Sequence, residues 1–133
     1  MIVERLDHVN IIAHDLKQTA QFYADLLDLK EGDGPPPMRP DQVRWMFDSN
    51  DNAILHLNSA EFPRLFDRDV APGDETGAIH HVALRCDDFE TVKSRLDARG
   101  ADYQINEVAS AGLRQIFTPD PNNVLLELNF FAA

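Results

Sequence analysis

Leu6-Asp7-His8-Val9 and Ile79-His80-His81-Val82 are two similar stretches that decide the fold of this chain. His81 lies 73 residues after His8, and two later similarities keep the same order at nearly the same spacing. They pair Arg44-Trp45-Met46-Phe47 with Arg114-Gln115-Ile116-Phe117, and Ile54-Leu55-His56-Leu57-Asn58 with Leu125-Leu126-Glu127-Leu128-Asn129. Similarity at a near-constant period indicates an internal repeat. The sequence therefore predicts two copies of one structural unit.

Each copy predicts one strand, then one helix, then further strands. Residues 6–13 and 78–85 predict the first strands, the former being rich in Val and Ile. Asp15 and Asp88 follow as helix N-caps, and the second helix is expected to reach about Arg99, with Gly100 just beyond its end. Other strands are predicted at residues 43–48, 53–58, 103–108, 113–118 and 124–129, and residues 32–37 predict a loop or a twisted edge.

This order predicts an α+β fold with two tandem βαβββ modules. The first module spans residues 1–58 and the second spans residues 78–133. Residues 59–77 are the least repeated segment and read as a long connection, where loop-borne function is possible. We expect one domain that covers residues 1–133.

Four polar residues occupy equivalent positions in the two modules. His8 and His81 belong to the first strands, His56 and Glu127 to the last, and each has apolar residues on the alternate face. We expect the apolar face to lie under a helix and the polar residue to point to the other side. Pseudo-symmetry of the two copies would bring the four inner faces around one point. His80 faces the helix side and is expected to serve packing or a local hydrogen bond.

Composition and charge exclude several classes of partner. The 133 residues include 12 Lys and Arg against 23 Asp and Glu, a net charge of −11, which repels nucleic acid and anionic membranes. Cys86 is the single cysteine, which excludes an intramolecular disulfide and a cysteine-rich zinc site. The charged start of the chain does not predict a signal peptide, and no apolar stretch approaches a membrane span. We expect a soluble cytoplasmic protein.

The ordered pattern is similar to the vicinal oxygen chelate superfamily, the group of glyoxalases, bleomycin-resistance proteins and extradiol dioxygenases. The similarity covers essentially the whole chain, and the Asp120-Pro121-Asn122 turn before Leu126-Glu127-Leu128 is its most recognisable part. Asn123 stands where the family pattern has glycine. The resemblance implies curved, partly closed mixed sheets around a metal or ligand cavity. It also implies a homodimer, which exposed edge strands and the apolar Phe130-Phe131 pair favour as well.

The resemblance further implies a metal site. In metal-binding members the ligands come from the first and last strands of each module, and the matching positions are His8, His56, His81 and Glu127. Glyoxalase-like members often have a carboxylate where this chain has His56. Three imidazoles and one carboxylate suit Zn, Ni, Co, Mn or Fe(II) better than Mg or Ca, which prefer oxygen ligands throughout.

Such a site favours a glyoxalase-like enzyme of the lyase or isomerase type. With four protein ligands on a six-coordinate ion, two open positions accept a small substrate through two neighbouring oxygens. The ion then acts as a Lewis acid. Proton removal next to a carbonyl requires a base within hydrogen-bonding reach, for which His56 and Glu127 are the candidates.

Five further residues are candidates for the substrate pocket. Arg44 and Arg114 occupy equivalent positions and would steer an anionic substrate. Three asparagines share a strand face with a proposed ligand, and they are Asn10, Asn58 and Asn129. The sequence therefore places both charged and amide groups near the expected cavity.

Other functions stay open. Without His56 as a ligand, His8, His81 and Glu127 match the two-histidine, one-carboxylate triad of non-haem Fe(II) oxygenases, and extradiol dioxygenases use the matching positions. A bleomycin-resistance-like protein would bind its ligand without a metal, and the acidic net charge suits a cationic ligand. A thiol or phosphonate transferase similar to the fosfomycin-resistance relatives is a further alternative.

Overall fold

The two repeated copies form two separate structural units. The computed structural model describes residues 1–64 and 67–132 of the chain. One unit comprises Met1–Pro72 and the other Gly73–Ala133, so the boundary lies within the predicted connection. Each unit contains a four-stranded mixed sheet and, among its described residues, one α-helix. No helix in the described part of the chain is long and apolar enough to cross a lipid bilayer.

The first unit runs strand, helix and three strands. Its elements are β1 (Val9–Ala13), α1 (Leu16–Leu27), β2 (Lys30–Gly32), β3 (Val43–Phe47) and β4 (Ala53–Ser59). The strands lie in the order β1-β4-β3-β2, with β4 parallel to β1 and antiparallel to β3. The three-residue edge strand β2 ends at Gly32, where a loop or a twisted edge is predicted.

The second unit repeats this topology. Its elements are β5 (Val82–Cys86), α2 (Phe89–Ala98), β6 (Gln104–Val108), β7 (Leu113–Pro119) and β8 (Leu125–Phe131), with a 3-10 turn at Ala109–Ala111. The strand order is β5-β8-β7-β6, and β5 is parallel to β8. The prediction of an α+β fold with two tandem βαβββ modules is confirmed. Its eight described strands form two separate four-stranded sheets.

The first strand of each module begins later than predicted. Pairing of β1 with β4 starts at Val9, and pairing of β5 with β8 starts at Val82, so the predicted starts at residues 6 and 78 are wrong. The segments before both strands are exposed and lie outside this pairing. Strand propensity alone does not extend a ladder without a neighbouring backbone to accept its hydrogen bonds. His8 and His81 therefore each lie immediately before a strand.

Both helices begin at the predicted caps. The carboxylates of Asp15 and Asp88 accept hydrogen bonds from the backbone N–H groups of Gln18 at 3.0 Å and Thr91 at 3.2 Å. These bonds satisfy amides that have no acceptor within the helix. Gly100 follows the end of α2 with a φ of 63°, the left-handed conformation that favours glycine at this position.

Each sheet buries one face and leaves the other more open. In β4, Leu55 and Leu57 are buried, and in β8, Leu126 and Leu128 are fully buried. These leucines occupy the helix side of their sheets, where Phe89 of α2 makes an edge-on ring contact with Phe130 of β8. Because side chains alternate along a strand, the intervening residues of β4 and β8 point to the opposite face.

A buried aspartate holds the turn before β8. The carboxylate of Asp120 accepts hydrogen bonds from the backbone N–H groups of Asn122 at 2.7 Å and Val124 at 2.8 Å. Asp120→Ala removes the acceptor of both amides, so we expect the free energy of unfolding to fall by about 1–3 kcal/mol. Chemical denaturation measures this loss. Asp120→Asn keeps one acceptor oxygen and should lose less, whereas an alanine variant of wild-type stability would contradict this role.

Candidate functional site

In the first unit, the predicted ligand positions lie on the sheet face opposite the buried leucines. Asn10 of β1 is the register partner of His56 of β4. His8 lies two residues before Asn10, and its ring contacts the ring of His56 directly. The structure therefore brings together the two histidines that were predicted to share a site in this module.

His56 is the middle ring of a three-ring stack. Its ring centroid lies 3.6 Å from that of His8 and 3.9 Å from that of Trp45, with interplanar angles of 13° and 8°. The lone pair of an imidazole nitrogen lies in the plane of the ring, so parallel stacked rings do not direct their lone pairs at a common point. His8 and His56 can both bind one ion only if one ring leaves the stack.

A neighbouring carboxylate orients His8. Asp7 Oδ2 lies 2.6 Å from His8 Nδ1, and this hydrogen bond is the main reason that the pKa of Asp7 is lowered. A carboxylate bound to one ring nitrogen places the proton there and leaves the other nitrogen as an electron-pair donor. Asp7 was assigned no role from the sequence, although a carboxylate next to a candidate histidine is the signal that identifies it.

Burial favours the neutral form of His56. The ring is partly buried in the stack, and this desolvation lowers its pKa; a positive charge on His8, when that ring is protonated, lowers it further. The pKa of a free histidine side chain is already near 6.5. His56 is therefore an uncharged ring at neutral pH, able to accept a proton.

The second unit brings together the other two predicted ligands. Glu127 of β8 is the register partner of Ala83 of β5, and His81 Nε2 lies 3.7 Å from Glu127 Oε1. On the other side of the His81 ring, Nδ1 is 2.9 Å from His80 Nδ1, so His80 makes a local hydrogen bond, one of the two roles predicted for it. With its Nδ1 engaged, His81 directs Nε2 toward the Glu127 carboxylate.

The second oxygen of Glu127 belongs to a row of amides. Asn129 Nδ2 donates to Glu127 Oε2 at 2.9 Å, and Gln115 Nε2 donates to Asn129 Oδ1 at 3.0 Å. Asn106 Nδ2 donates in turn to Gln115 Oε1 at 2.8 Å. Asn129 was predicted to lie near the site, but Gln115 and Asn106 were not. Their role depends on cross-strand register, which the repeat alone does not reveal.

The predicted pocket asparagines of the first unit also meet. Asn58 Nδ2 donates to Asn10 Oδ1 at 3.0 Å. Both belong to the face that carries His56, because Asn58 lies two residues after His56 on β4 and Asn10 is the register partner of His56. The amides therefore form a polar border beside the ring stack.

Arg44 lies on the opposite face of the first sheet. Its register partner is Leu57, whose side chain is buried on the helix side. Arg44 donates to Glu31 Oε2 at 2.7 Å and to Asp33 Oδ1 at 2.5 Å. Burial opposes the charge of the guanidinium, but these two hydrogen bonds outweigh it and raise the pKa of Arg44. The structure does not bring Arg44 to the face of His56.

Arg114 repeats this arrangement in the second unit. Its register partner on β8 is Phe130, and its guanidinium carbon lies 4.0 Å from the centre of the Phe89 ring. Arg114 NH1 is also 3.6 Å from Glu90 Oε1. Because it alternates with Gln115, Arg114 points to the helix side and not toward Glu127. Both arginines assigned to the substrate pocket thus stabilise helix-facing surfaces.

Two open cavities lie on these helix-facing surfaces. One of about 780 Å³ in the first unit includes His14, Asp15 and Arg44, and one of about 510 Å³ in the second includes Cys86 and Arg114. Burial, aided by the charge of Asp87, raises the pKa of the Cys86 thiol to about 11. Cys86 is therefore a protonated, weakly reactive thiol at neutral pH.

The available donor groups fit a divalent transition metal. Nδ1 of His8 is hydrogen-bonded to the carboxylate of Asp7, which is the usual arrangement of a metal-binding histidine, and Nδ1 of His81 is hydrogen-bonded to the ring of His80. Glu127 adds a carboxylate oxygen, and this mixture of donors suits Zn, Co, Ni, Mn or Fe(II). Among the described residues, no group of three or more His, Cys, Asp or Glu side chains comes together that could hold a metal ion.

A family model described as Glyoxalase/Bleomycin resistance protein/Dioxygenase superfamily matches residues 5–128. The matched range includes His8, His56, His81 and Glu127. A comparison with curated proteins found no match.

Several solved structures resemble the chain. The fosfomycin resistance protein FosX from Mesorhizobium loti is 18% identical with a TM-score of 0.68, covering 98% of this chain and 95% of that chain. A glyoxalase/dioxygenase from Nostoc punctiforme is 19% identical with a TM-score of 0.75, and the match covers 98% of this chain and 92% of that chain. A glyoxylase/bleomycin resistance protein/dioxygenase domain from Frankia sp. EAN1pec is 19% identical with a TM-score of 0.67, covering 98% and 100%. At these identities, the likeness establishes a shared fold alone.

Proposed function

Because the chain belongs to the glyoxalase/bleomycin resistance protein/dioxygenase superfamily, we propose that it is a divalent-metal-dependent enzyme of the lyase or isomerase type. Its substrate is a small molecule that chelates the metal through two neighbouring oxygens. His8, His81 and Glu127 are metal ligands, and His56 and Glu127 are the candidates for proton transfer. His56 becomes a fourth ligand only if the ring stack opens.

The observation that carries the proposal is the His81–Glu127 pair, with Nε2 and Oε1 3.7 Å apart. Donors bound to one ion at about 2.0–2.2 Å lie roughly 3 Å from each other when they are neighbours in the shell. A shift of well under about 1 Å would bring this pair to ligand spacing. The hydrogen bond between His8 Nδ1 and Asp7 supports a ligand role for His8 Nε2, because a metal-binding histidine usually donates its other ring N–H to a carboxylate.

A bound divalent ion supplies Lewis-acid stabilisation of negative charge on the substrate oxygens. The protein supplies the proton transfer. His56 lies on the ligand face with its ring held flat between Trp45 and His8, and its neutral form accepts a proton from the carbon next to a chelating oxygen. Asn10 and Asn58 border this face and are placed to hydrogen-bond a polar substrate group.

The stacking of His56 also favours a second candidate function. With the ring in the stack, the proposed protein ligands are two histidines and one carboxylate, which is also the set used by non-haem Fe(II) oxygenases. Three open positions would then admit a catecholate and O₂. Oxygen uptake that requires both a catechol and Fe(II) would assign the protein to this function instead.

The proposal is tested by metal analysis of protein purified without an affinity tag. We expect a stoichiometric transition metal, and a higher thermal unfolding temperature when the metal is added back to stripped protein, because binding to the folded state alone stabilises it. Mg²⁺ is the control, since it prefers oxygen ligands. If no ion is bound and none stabilises the fold, a metal-free ligand-binding protein is the better assignment.

We extend the proposal to a cytoplasmic homodimer. Several large apolar side chains are exposed, among them Leu6 at 77%, Ile79 at 63% and Phe131 at 42%. Exposed apolar groups of this size support an additional protein interface. Nucleic acid and anionic membranes are not expected as partners, because the net charge of −11 repels both.

A further inference from the structure

We infer that Asn106, Gln115 and Asn129 are positioning residues that hold the Glu127 carboxylate in one orientation for metal binding. The inference rests on the proposed function, because it assigns these amides a task only if Glu127 is a ligand. It adds two residues, Asn106 and Gln115, to the machinery of the site.

The three amides form a continuous row across three strands. Asn106 of β6 is the register partner of Gln115 of β7, and Gln115 is the register partner of Asn129 of β8. Directly opposed residues in antiparallel strands place their side chains within reach of each other. The hydrogen bonds of 2.8, 3.0 and 2.9 Å then connect the edge strand β6 to Glu127.

The carboxylate of Glu127 determines which group donates and which accepts in each hydrogen bond of the row. An ionised carboxylate only accepts hydrogen bonds, so Asn129 must present its NH₂ group to Glu127 and its oxygen to Gln115. Gln115 must then donate to that oxygen and accept from Asn106. All three hydrogen bonds have these donors and acceptors. Flipping any one side-chain amide would therefore place two acceptors or two donors against each other in at least one of the three contacts. The row therefore has one consistent arrangement.

The row leaves one carboxylate oxygen available. Asn129 occupies Glu127 Oε2, and Oε1 is the oxygen that faces His81 Nε2 at 3.7 Å. The side chain of Glu127 is only 16% exposed, so water competes weakly with these contacts. A carboxylate that is already oriented loses less conformational freedom when the ion binds. Mutation of residues that hydrogen-bond a metal ligand lowers metal affinity by about 10–100-fold.

In the first unit, the residue equivalent to Gln115 contacts the functional residue in a different way. Trp45 matches Gln115 in the repeat, and His56 matches Glu127. Trp45 stacks on the His56 ring at 3.9 Å, whereas Gln115 reaches Glu127 through the amide of Asn129. An aromatic ring is oriented by contact with its face, but a carboxylate is oriented by donors. In each unit, the strand paired antiparallel with the last strand (β3 with β4, β7 with β8) thus supports the functional residue of that last strand by the chemistry that residue requires.

The test is a Co²⁺ titration of metal-stripped protein comprising residues 1–133, monitored by the visible absorption of the bound ion. We expect Gln115→Leu to weaken Co²⁺ affinity about 10-fold and to change the absorption spectrum. Gln115→Glu keeps the shape and the acceptor for Asn106 but loses the donor to Asn129, so it should weaken binding at least as much. The matched control is Gln104→Leu, because Gln104 is an exposed amide of the same strand as Asn106 and makes no side-chain hydrogen bond with the described residues.

Two further measurements separate a positioning role from a structural one. The thermal unfolding temperature of metal-free Gln115→Leu should match that of the wild type, because the row lies on the face opposite the buried leucines of β8. In the Glu127→Ala background, Gln115→Leu should have no further effect on residual Co²⁺ affinity, since residues that act through one another are not additive.

The outcomes are distinguishable. If Glu127→Ala loses Co²⁺ but both Gln115 variants bind it like the wild type, the inference is overturned and the proposed function stands. If Gln115→Leu weakens binding equally with and without Glu127, the row does not act through Glu127 and the inference is also overturned. If the wild type does not bind Co²⁺, or binds it as well as Glu127→Ala does, the proposed function fails and the inference fails with it.

Discussion

Replacing Glu127 with alanine is expected to eliminate tight metal binding and all metal-dependent activity while leaving the fold intact. Glu127 supplies the carboxylate of the proposed ligand set, and its Oε1 is the oxygen directed at His81. Removing a group that merely supports a ligand costs about 10–100-fold in metal affinity, so removing the ligand itself should cost more. Calorimetric titration with Zn²⁺ or Co²⁺ measures the loss, and circular dichroism measures the fold.

A second glutamate of the same unit provides the matched control. Glu107 of β6 is exposed and is the register partner of Arg114, which places it on the helix side of the sheet. Glu107→Ala should therefore bind metal like the wild type. His8→Ala should lose metal as fully as Glu127→Ala if both residues bind the same ion. Stoichiometric metal in both His8→Ala and Glu127→Ala would refute the ligand assignment.

The topology and the ligand faces could be predicted because they depend on an internal repeat and on short-range patterns. The repeat alone indicates that two copies share one strand order, and alternation along β4 and β8 places His56 and Glu127 opposite buried leucines. The caps at Asp15 and Asp88 are equally local. The alternation and the caps involve residues within a few positions of one another, and the repeat is found by comparing the sequence with itself, so a single sequence carries the information.

The side-chain contacts within the site could not be predicted in the same way. Trp45 stacks on His56, and Gln115 reaches Asn129, because antiparallel pairing sets them directly opposite each other. A shift of one residue in this register would turn the neighbouring arginine toward the site instead. The repeat shows that Arg44 and Arg114 are equivalent, but equivalence does not reveal a face. The sequence alone therefore does not show that the two arginines lie on the sheet faces opposite His56 and Glu127.

Replacing His56 with alanine is expected to remove proton transfer but retain the metal. In the stack, the ring of His56 lies parallel to that of His8, so it is not directed at an ion bound in the plane of His8. Loss of a general base lowers the rate of a proton-transfer step by about 10²–10⁴-fold, whereas metal affinity should stay close to that of the wild type. Exchange of the α-protons of hydroxyacetone in D₂O, followed by NMR, measures proton abstraction directly.

A second histidine of the first unit gives the comparison that makes this result specific. His14 borders the helix-side cavity with Arg44, so His14→Ala should exchange α-protons and bind metal like the wild type. If His56→Ala loses metal as fully as Glu127→Ala, His56 is a fourth ligand and the ring stack must open when the ion binds. If exchange continues at the wild-type rate, His56 is not the base, and proton transfer passes to Glu127, the other acceptor on the ligand faces.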